Sequence, residues 1–403
     1  MSDSGVTSRR SKTALVLAGG GVTGAAYEIG ALRALDDLLY DFSVNEFDVF
    51  IGTSAGALVA ACLANGLTPR ELMRHLEVPL DGIAPLNVGD LFTLNGRDIL
   101  AHGLHLPSVA LRAIRALIFS RKHLSLLDLI EAFALALPGG LYDISSLDRY
   151  LSAVLSRDGR TNDFRKLSRE LVVIATDLDT GARVVFGVPP YDDVPISRAV
   201  AASSAMPLVY RPVRIGNRDY VDGGVRGNAS LDLAIERGAR LIVCVNPLVP
   251  YDLEEANDDS LHIRDMGAPG IINQVFRTLF HSALHYHLKQ IHRRHPDVDI
   301  ILIEPARDDV RMFSEMPMRY SSRTEVARHG FETVAAFLSE RYESYRNIFA
   351  RHGITLQRRH AAERLAAVAH HVNVQTRPGP RDLRDTLTRL ERLLEQRSRT
   401  APR

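Results

Sequence analysis

The feature that most constrains this chain is a pair of largely apolar runs that each end abruptly at glycine. Residues 13–18 stop at Gly19, the first of three consecutive glycines, and residues 47–51 stop at Gly52. Continuous apolar runs of this length are typical of strands buried on both faces of a parallel sheet. Each run is followed by apolar residues at helical spacing, so the sequence predicts two strands that each turn through glycine into a helix.

The same pattern recurs along the chain and predicts an α/β fold. The other predicted elements are a helix ending near 65–66, a helix from 69, a hairpin of 171–175 and 183–186, strands at 218–221, 241–245 and 300–303, a helix from about 230, and mainly helices after 321. We therefore expect a three-layer α/β/α domain with a mostly parallel central sheet, extending over residues 12–350.

Two segments depart from this pattern. Prolines break residues 80–160 into short pieces around an apolar helix candidate at 124–137, and we predict a helical insertion packed on the sheet. Residues 351–403 hold 12 Arg and no Lys against 5 acidic residues, in a chain whose net charge is only +1. Leucines at helical spacing near the end of this segment predict an Arg-rich helical tail.

Composition excludes several classes of function. The chain has no Trp, 6% aromatic residues and little net charge, which argues against nucleic acid as a partner. Cys62 and Cys244 lie in apolar surroundings and are expected to be buried free thiols. The first apolar run is too short for a signal peptide, and no stretch reaches the length of a membrane span. We expect a soluble or peripheral cytoplasmic protein, and the sequence does not give its oligomeric state.

The glycine-rich loop between the first strand and its helix is suited to an anion. Gly19, Gly21 and Gly24 satisfy the dinucleotide-binding spacing, and Gly20 lies between the first two. Backbone N–H groups at such a junction can face a pyrophosphate or a transient oxyanion. A nucleotide-binding oxidoreductase is therefore one alternative, although it wants an acidic residue at the tip of the second strand, and none occurs there.

The tip of the second strand carries a serine between two glycines instead. Gly52, Ser54 and Gly56 fit the Gly-x-Ser-x-Gly nucleophile elbow, in which a tight strand-to-helix turn exposes the serine hydroxyl at a helix N-terminus. A third motif follows far along the chain, Asp222 with Gly223 and Gly224. Taken alone, this Asp-Gly pair is typical of an ordinary turn.

Together, and in this order, the three motifs resemble the patatin-like phospholipase family. Residues 175–181 and 201–207 also resemble segments that precede the aspartate in that family. The resemblance implies that Ser54 is the nucleophile, that Asp222 is its base without a mediating histidine, and that the glycine loop forms the oxyanion hole. One position departs from the family pattern, because Thr23 stands where many members have Arg or Lys.

The implied function is hydrolysis of acyl esters of phospholipid or another lipid through an acyl-enzyme on Ser54. We expect Asp222 to be partly buried, because burial raises the pKa of a carboxyl and makes it a better base at neutral pH. A catalytically weak regulatory member that binds lipid or a partner, and a lipid transacylase, stay open as alternatives. Peripheral membrane contact through the Arg-rich tail or residues 98–137 also stays open.

No cofactor or metal is expected. His281, His285 and His292 fall near one face of a predicted helix, but no carboxylate or cysteine falls at a matching position, and the helix carries Arg and Lys. A solvated polar face is therefore expected there. No acidic loop of the EF-hand kind occurs, so calcium dependence is not predicted.

Overall fold

The computed structural model describes residues 10–96, 139–256 and 262–357. Its centre is a sheet with the strand order β11-β10-β1-β2-β5-β9-β8, and β6 pairs with β5 beside this path. The strands are β1 (Thr13–Leu17), β2 (Val49–Thr53), β3 (Thr93–Leu94), β4 (Gly140–Asp143), β5 (Glu170–Asp177), β6 (Arg183–Phe186), β7 (Leu208–Tyr210), β8 (Val213–Ile215), β9 (Arg218–Asp222), β10 (Leu241–Val245) and β11 (Asp299–Ile303).

The sheet has a parallel part and an antiparallel part that meet at β5. The strands β11, β10, β1, β2 and β5 are parallel neighbours, whereas β6 and β9 pair with β5 in the antiparallel sense and β8 pairs antiparallel with β9. The prediction of a mostly parallel sheet and of the hairpin formed by β5 and β6 is confirmed.

Helices cover both faces of the sheet, so the fold has the predicted three layers. The described helices are α1 (Gly21–Asp36), α2 (Ala55–Ala64), α3 (Pro69–His75), α4 (Val88–Leu91), α5 (Ser145–Leu155), α6 (Ile196–Ser203), α7 (Leu231–Glu236), α8 (Leu253–Ala256), α9 (Gly267–Arg294), α10 (Val310–Ser314), α11 (Arg323–Glu340) and α12 (Tyr342–Arg351). Alternate residues of β1 show the two cores, because Leu15 and Leu17 face α1 while Ala14 and Val16 face α7 and α9.

The two helices α1 and α11 touch backbone to backbone. A Cβ placed on Gly30 would stand 2.8 Å from the amide nitrogen of Phe331, and one on Gly330 would stand 2.8 Å from the carbonyl oxygen of Tyr27. Observed Cβ contacts are essentially never under 3.0 Å, so glycine is what permits this approach. The pairing fixes α1, and therefore the glycine loop at its start, against the C-terminal helices.

About half of the predicted helical insertion at 80–160 lies outside the described residues, and the described part holds short strands as well as helices. β3 pairs with β4, and β4 pairs with β7, in a separate three-stranded sheet. Such short strands, with exposed residues, carry no alternation that a sequence pattern could show. The helix candidate at 124–137 and the leucine stripe of the tail lie outside the described residues. The chain packs on the domain as far as residue 357, where Gln357 N–H donates to the carbonyl oxygen of Leu38.

Candidate active site

Ser54 lies at a sharp turn between a strand and a helix. β2 ends at Thr53 and α2 begins at Ala55, and Ser54 between them has φ 55° and ψ −125°. A positive φ is costly for a residue with a side chain, and such backbone strain clusters at functional sites. The turn places the serine at the N-terminus of α2, where negative charge is favoured.

The two glycines that flank Ser54 are required by close backbone packing. A Cβ on Gly56 would stand 2.6 Å from the carbonyl oxygen of Ala18, and one on Gly52 would stand 2.6 Å from the carbonyl oxygen of Gly56. The start of α2 therefore packs directly against the end of β1, and this contact brings Ser54 beside the glycine loop.

Asp222 reaches Ser54 from the antiparallel part of the sheet. Thr53 pairs with Ile174 of β5, and Asp222 at the end of β9 pairs with Ala175, the next residue of β5. β2 and β9 therefore lie end to end along the same edge of β5, whose other edge pairs with β6, and this brings Ser54 and Asp222 together. The Ser54 hydroxyl donates a hydrogen bond to Oδ2 of Asp222 at 2.5 Å, although 168 positions separate the two residues.

The carboxyl of Asp222 is removed from water. The residue is 5% exposed, and its second oxygen, Oδ1, accepts a hydrogen bond from the backbone N–H of Gly224 at 2.8 Å. Burial raises the pKa of Asp222 from 3.8 to about 6, against the lowering effect of the hydrogen bonds from Ser54 and Gly224. The expected burial and raised pKa are confirmed. Near neutral pH the carboxyl is mainly ionised and can accept a proton.

The glycine loop packs against the serine. A Cβ on Gly19 would stand 2.9 Å from the Cβ of Ser54, so the loop can approach this closely only with glycine at that position. Gly21 has φ +64°, a conformation that favours glycine, and a Cβ there would stand 2.9 Å from the carbonyl carbon of Pro317. Both positions need glycine for the loop to lie between Ser54 and the 317 segment.

Some backbone N–H groups of the glycine loop donate to an acceptor within the protein, and others have no acceptor there. The N–H of Gly19 donates to Oδ1 of Asn228 at 2.8 Å, and the N–H of Gly24 donates to the carbonyl oxygen of Gly20 at 3.0 Å. Within the described ranges, no acceptor engages the N–H of Gly20 or Gly21. The N–H of Val22 likewise has no acceptor there, so Gly20, Gly21 and Val22 are the loop residues whose N–H groups are left for a ligand.

Two residues that the sequence did not single out hold this arrangement. Ser203, at the end of α6, is fully buried; its hydroxyl accepts from the N–H of Ser54 at 2.8 Å and donates to the carbonyl oxygen of Ile174 at 2.6 Å. Asn228 bonds the N–H of Gly19 and, at 3.2 Å, its carbonyl oxygen. Ser203 lies in the small-residue segment 201–207, whereas nothing in the sequence marks Asn228.

An apolar cleft opens at Ser54. It encloses about 1170 Å³ of empty space, open mouth included, and its lining is predominantly aliphatic. Lining residues come from α1, α2, α3, α5 and the loops beside them, among them Val22, Ile29, Leu58, Leu72, Leu151 and Met206. Away from Ser54, His75 and Tyr150 bond each other at 2.7 Å, so these two polar groups are satisfied inside the apolar wall.

A family model described as patatin-like phospholipase matches residues 15–235, which is more than half of the chain and includes all three glycine motifs. The chain belongs to the patatin-like phospholipase family. The expected family is therefore confirmed, and the matched range ends within α7, before β10 and β11 add two further strands to the patatin-like domain.

Two relatives and one solved structure give the extent of the likeness. The patatin-like chain is 24% identical over 228 residues to the probable lipid hydrolase 463L of Invertebrate iridescent virus 6, covering 55% of this chain and 63% of that protein. It is 27% identical over 252 residues to the uncharacterized protein YqhO of Bacillus subtilis (strain 168), covering 59% of this chain and 72% of that protein. VipD from Legionella pneumophila matches at 15% identity with a TM-score of 0.34, covering 81% of this chain and 66% of VipD. The chain thus spans less than two thirds of the viral relative.

Thr23 and the two cysteines of this patatin-like protein are all buried. Thr23 is 2% exposed and its N–H donates to the carbonyl oxygen of Pro317 at 3.2 Å, so this position faces the protein interior. Cys62 and Cys244 are buried free thiols, as expected, and burial raises the pKa of Cys62 to about 12. None of the helices in the described ranges has the length and hydropathy that crossing a bilayer requires.

The histidines of α9 differ from the expectation in one respect. His281 and His285 have a carboxylate beside them, that of Glu304, whereas His292 is exposed and outside this group. The expectation that no carboxylate matches was wrong because it considered only the helix itself. Glu304 directly follows β11, and it lies beside the two histidines because α9 packs against the sheet.

Proposed function

We propose that this patatin-like protein hydrolyses acyl esters of lipids, with Ser54 as nucleophile and Asp222 as base. The observation that carries the proposal is the 2.5 Å hydrogen bond from the Ser54 hydroxyl to a buried carboxyl at the mouth of an apolar cleft. A serine hydroxyl is a weak nucleophile until a base removes its proton, and Asp222 is the group in contact with it.

The reaction follows from these contacts. As Ser54 Oγ attacks the ester carbonyl carbon, its proton passes to Oδ2 of Asp222 and the carbonyl π electrons move to oxygen. The tetrahedral intermediate collapses, the C–O bond to the alcohol breaks, and the proton on Asp222 passes to the leaving alkoxide. Water, deprotonated in turn by Asp222, then attacks the acyl-enzyme; the bond from the acyl carbon to Ser54 Oγ breaks, the fatty acid leaves, and the proton on Asp222 returns to Oγ.

The glycine loop is proposed as the oxyanion hole. The N–H groups of Gly20 and Gly21 stand at the start of α1, next to Ser54, and have no acceptor in the described ranges. Backbone donors fixed in this way stabilise the oxyanion without reorganising, and one such donor is worth about 3 kcal/mol in comparable sites. Asn228 and Ser203 position the loop and the serine through their hydrogen bonds.

The substrate class is inferred from the cleft. A predominantly aliphatic lining favours a fatty acyl chain, because each buried methylene contributes about 0.8 kcal/mol. The viral relative is named a probable lipid hydrolase, and the family model describes phospholipases, so lipid esters are the class that both comparisons favour.

A fluorophosphonate probe tests the assignment, because it labels only an activated serine. Wild-type protein is expected to be labelled and to hydrolyse p-nitrophenyl esters, better with long than with short acyl chains. Ser54→Ala should lose both signals, and Asp222→Asn should lose at least about a hundredfold in rate. Ser339→Ala, on the outer helix α11, and Asp219→Asn, on the same strand as Asp222, are the matched controls. Labelling that persists in Ser54→Ala would overturn the proposal.

Peripheral contact with the lipid surface is the remaining part of this proposal. α9 carries five exposed apolar residues, 44–59% accessible, in its N-terminal half: Ile271, Ile272, Val275, Phe276 and Leu279. No residue of α9 is acidic, and basic residues follow toward its end. Because α9 runs back from the carboxyl edge of the sheet, its N-terminal half lies at the edge that carries Ser54. An exposed apolar face at this edge is suited to insertion into the interface of a bilayer.

A further inference from the structure

Three potential metal ligands from different parts of the chain converge on one point. His281 and His285 stand one turn apart on α9, and Glu304 follows the carboxyl end of β11. The Nε2 atoms of both imidazoles face the same carboxylate oxygen, Oε2 of Glu304, at 3.8 Å from His281 and 3.1 Å from His285. All three ligand atoms lie within 4.8 Å of one another.

These separations suit a small divalent cation. In a tetrahedral site with bonds of about 2.0–2.1 Å, neighbouring ligand atoms are about 3.3 Å apart. The two His–Glu distances of 3.1 and 3.8 Å bracket that value, and the imidazole nitrogens lie within 4.8 Å of each other, so modest rotamer adjustments would complete the geometry. The side chain of His285 is 41% exposed while those of His281 and Glu304 are 17% and 15% exposed. The site is therefore open on one side, where water can reach it as a further ligand.

An outer hydrogen bond orients the carboxylate. Oε1 of Glu304, the oxygen turned away from the histidines, accepts from Nδ2 of Asn246 at 2.7 Å. Asn246 is fully buried, and its own Oδ1 accepts from Nδ2 of Asn228 at 3.3 Å. Asn228 bonds both backbone groups of Gly19. Outer partners of this kind fix the orientation of metal-binding side chains, and here they also connect the cluster to the glycine loop.

We propose that His281, His285 and Glu304 bind one divalent transition-metal ion with the ligand preferences of Zn²⁺. Ions such as Zn²⁺ bind readily to two imidazoles and one carboxylate, whereas Mg²⁺ and Ca²⁺ prefer oxygen ligands alone. The ion would fasten α9 to the end of β11. Through Asn246 and Asn228 it would also steady the backbone of Gly19, so its role is structural and lies outside the acyl-transfer steps.

Metal titration of the full chain tests the site directly. Protein freed of any affinity tag and stripped with a chelator is titrated with Zn²⁺ by calorimetry and with Co²⁺ by visible absorption. Wild type is expected to bind one equivalent, and the Co²⁺ spectrum should be that of a site with nitrogen ligands. Saturating Zn²⁺ should raise Tm by at least about 2 °C, because the ion binds the folded state alone.

Three variants identify the ligands. His285→Ala and Glu304→Gln should each weaken binding more than about tenfold, since even loss of an outer partner typically costs 10- to 100-fold. His292→Ala removes a histidine from the same helix outside the cluster and should bind as wild type does. Far-ultraviolet circular dichroism and the Tm without metal show whether each variant is folded. Absence of stoichiometric binding to folded wild type, or equal binding by all four proteins, would overturn the proposal. These readouts do not involve ester hydrolysis, so they are independent of the proposed activity.

Discussion

Asp222 combines two properties that oppose each other. It is almost fully buried, which makes its ionised form costly, and it contacts the hydroxyl whose proton it is proposed to take. Its pKa of about 6 meets both requirements of a base at neutral pH. The carboxyl is still mostly ionised at pH 7, and it is a stronger base than an exposed aspartate.

The pH dependence of hydrolysis should report this pKa. We expect kcat/KM to rise about tenfold per pH unit below pH 6 and to level off above about pH 7, because only ionised Asp222 can accept the proton of Ser54. Initial rates on a soluble p-nitrophenyl ester between pH 4.5 and 8.5 check this. Asp219→Asn should leave the midpoint unchanged, and a profile that is flat from pH 5 to 8 would contradict the role of Asp222.

Replacing Asp222 should stabilise the protein while inactivating it. The pKa of this carboxyl is higher in the folded protein than its ordinary value of 3.8, so the folded state binds the proton more tightly. The stability that this proton contributes is complete below about pH 4 and is lost as pH rises through about 6. A shift of about two units corresponds to roughly 3 kcal/mol. Asp222→Asn is therefore expected to raise the free energy of unfolding at pH 8 by about 1–3 kcal/mol.

Urea denaturation at pH 8 and at pH 4.5 measures this difference, and the stabilisation should shrink at the lower pH. Asp219→Asn breaks an ion pair with Arg214 at the surface and should change stability by less than about 1 kcal/mol. A variant Asp222→Asn that is less stable than wild type at pH 8 would show that burial of the carboxylate is compensated in the folded state.

Residues of the site could be predicted only where a local motif marks them. Ser54 and Asp222 each stand beside glycines that the backbone requires, and this requirement leaves a pattern in the sequence. Asn228 and Glu304 act through contacts with residues far away in the chain. No spacing relates such partners, so the sequence alone could not show them.

At the scale of elements, strands too could be predicted only where their own residues form a recognisable pattern. β1 and β10 are covered on both faces, so their residues are almost all apolar, and this makes the two strands visible as continuous runs. β3 and β7 have two and three residues and lie in a small separate sheet. A segment of two or three residues becomes a strand because it pairs with a neighbouring strand, and its own sequence shows no strand pattern.

The packing of α1 against α11 gives a prediction in which two effects have opposite signs. In an isolated helix, Gly30→Ala would stabilise by about 1 kcal/mol because alanine is the better helix former. In this protein the added methyl group would collide with the backbone around Phe331. Overpacking of this kind costs about 1–3 kcal/mol or more, so we expect a net loss of stability in urea denaturation. Gly227→Ala, where a Cβ meets open space, is the control, and a stabilised Gly30→Ala would contradict the close contact.

At the scale of the whole molecule, the apolar face of α9 should decide how firmly the protein meets a bilayer. Phe276 and Leu279 are 51% and 59% exposed, and each would bury apolar surface in the lipid interface. Phe276→Asp combined with Leu279→Asp is expected to reduce binding at least about tenfold. Flotation with vesicles of phosphatidylcholine and phosphatidylglycerol measures this. The control is Tyr40→Asp, which alters a 67% exposed aromatic residue just after the C-terminal end of α1. This variant should float with the vesicles as wild type does. Equal flotation of all three proteins would exclude α9 as the contact.

The pairing of β9 with β5 also affects when the proposed catalytic pair is completed during synthesis. The serine, its turn and the glycine loop are complete within the first 56 residues, yet the carboxyl arrives only after β9 has paired with β5 in the opposite direction. Local segments can form early, whereas pairing over so many residues is slow because the intervening chain must first be ordered. A nascent chain that has exposed Ser54 therefore lacks its proposed base until the antiparallel part of the sheet closes. The proposed hydrolase would in this way stay inactive until its sheet is assembled.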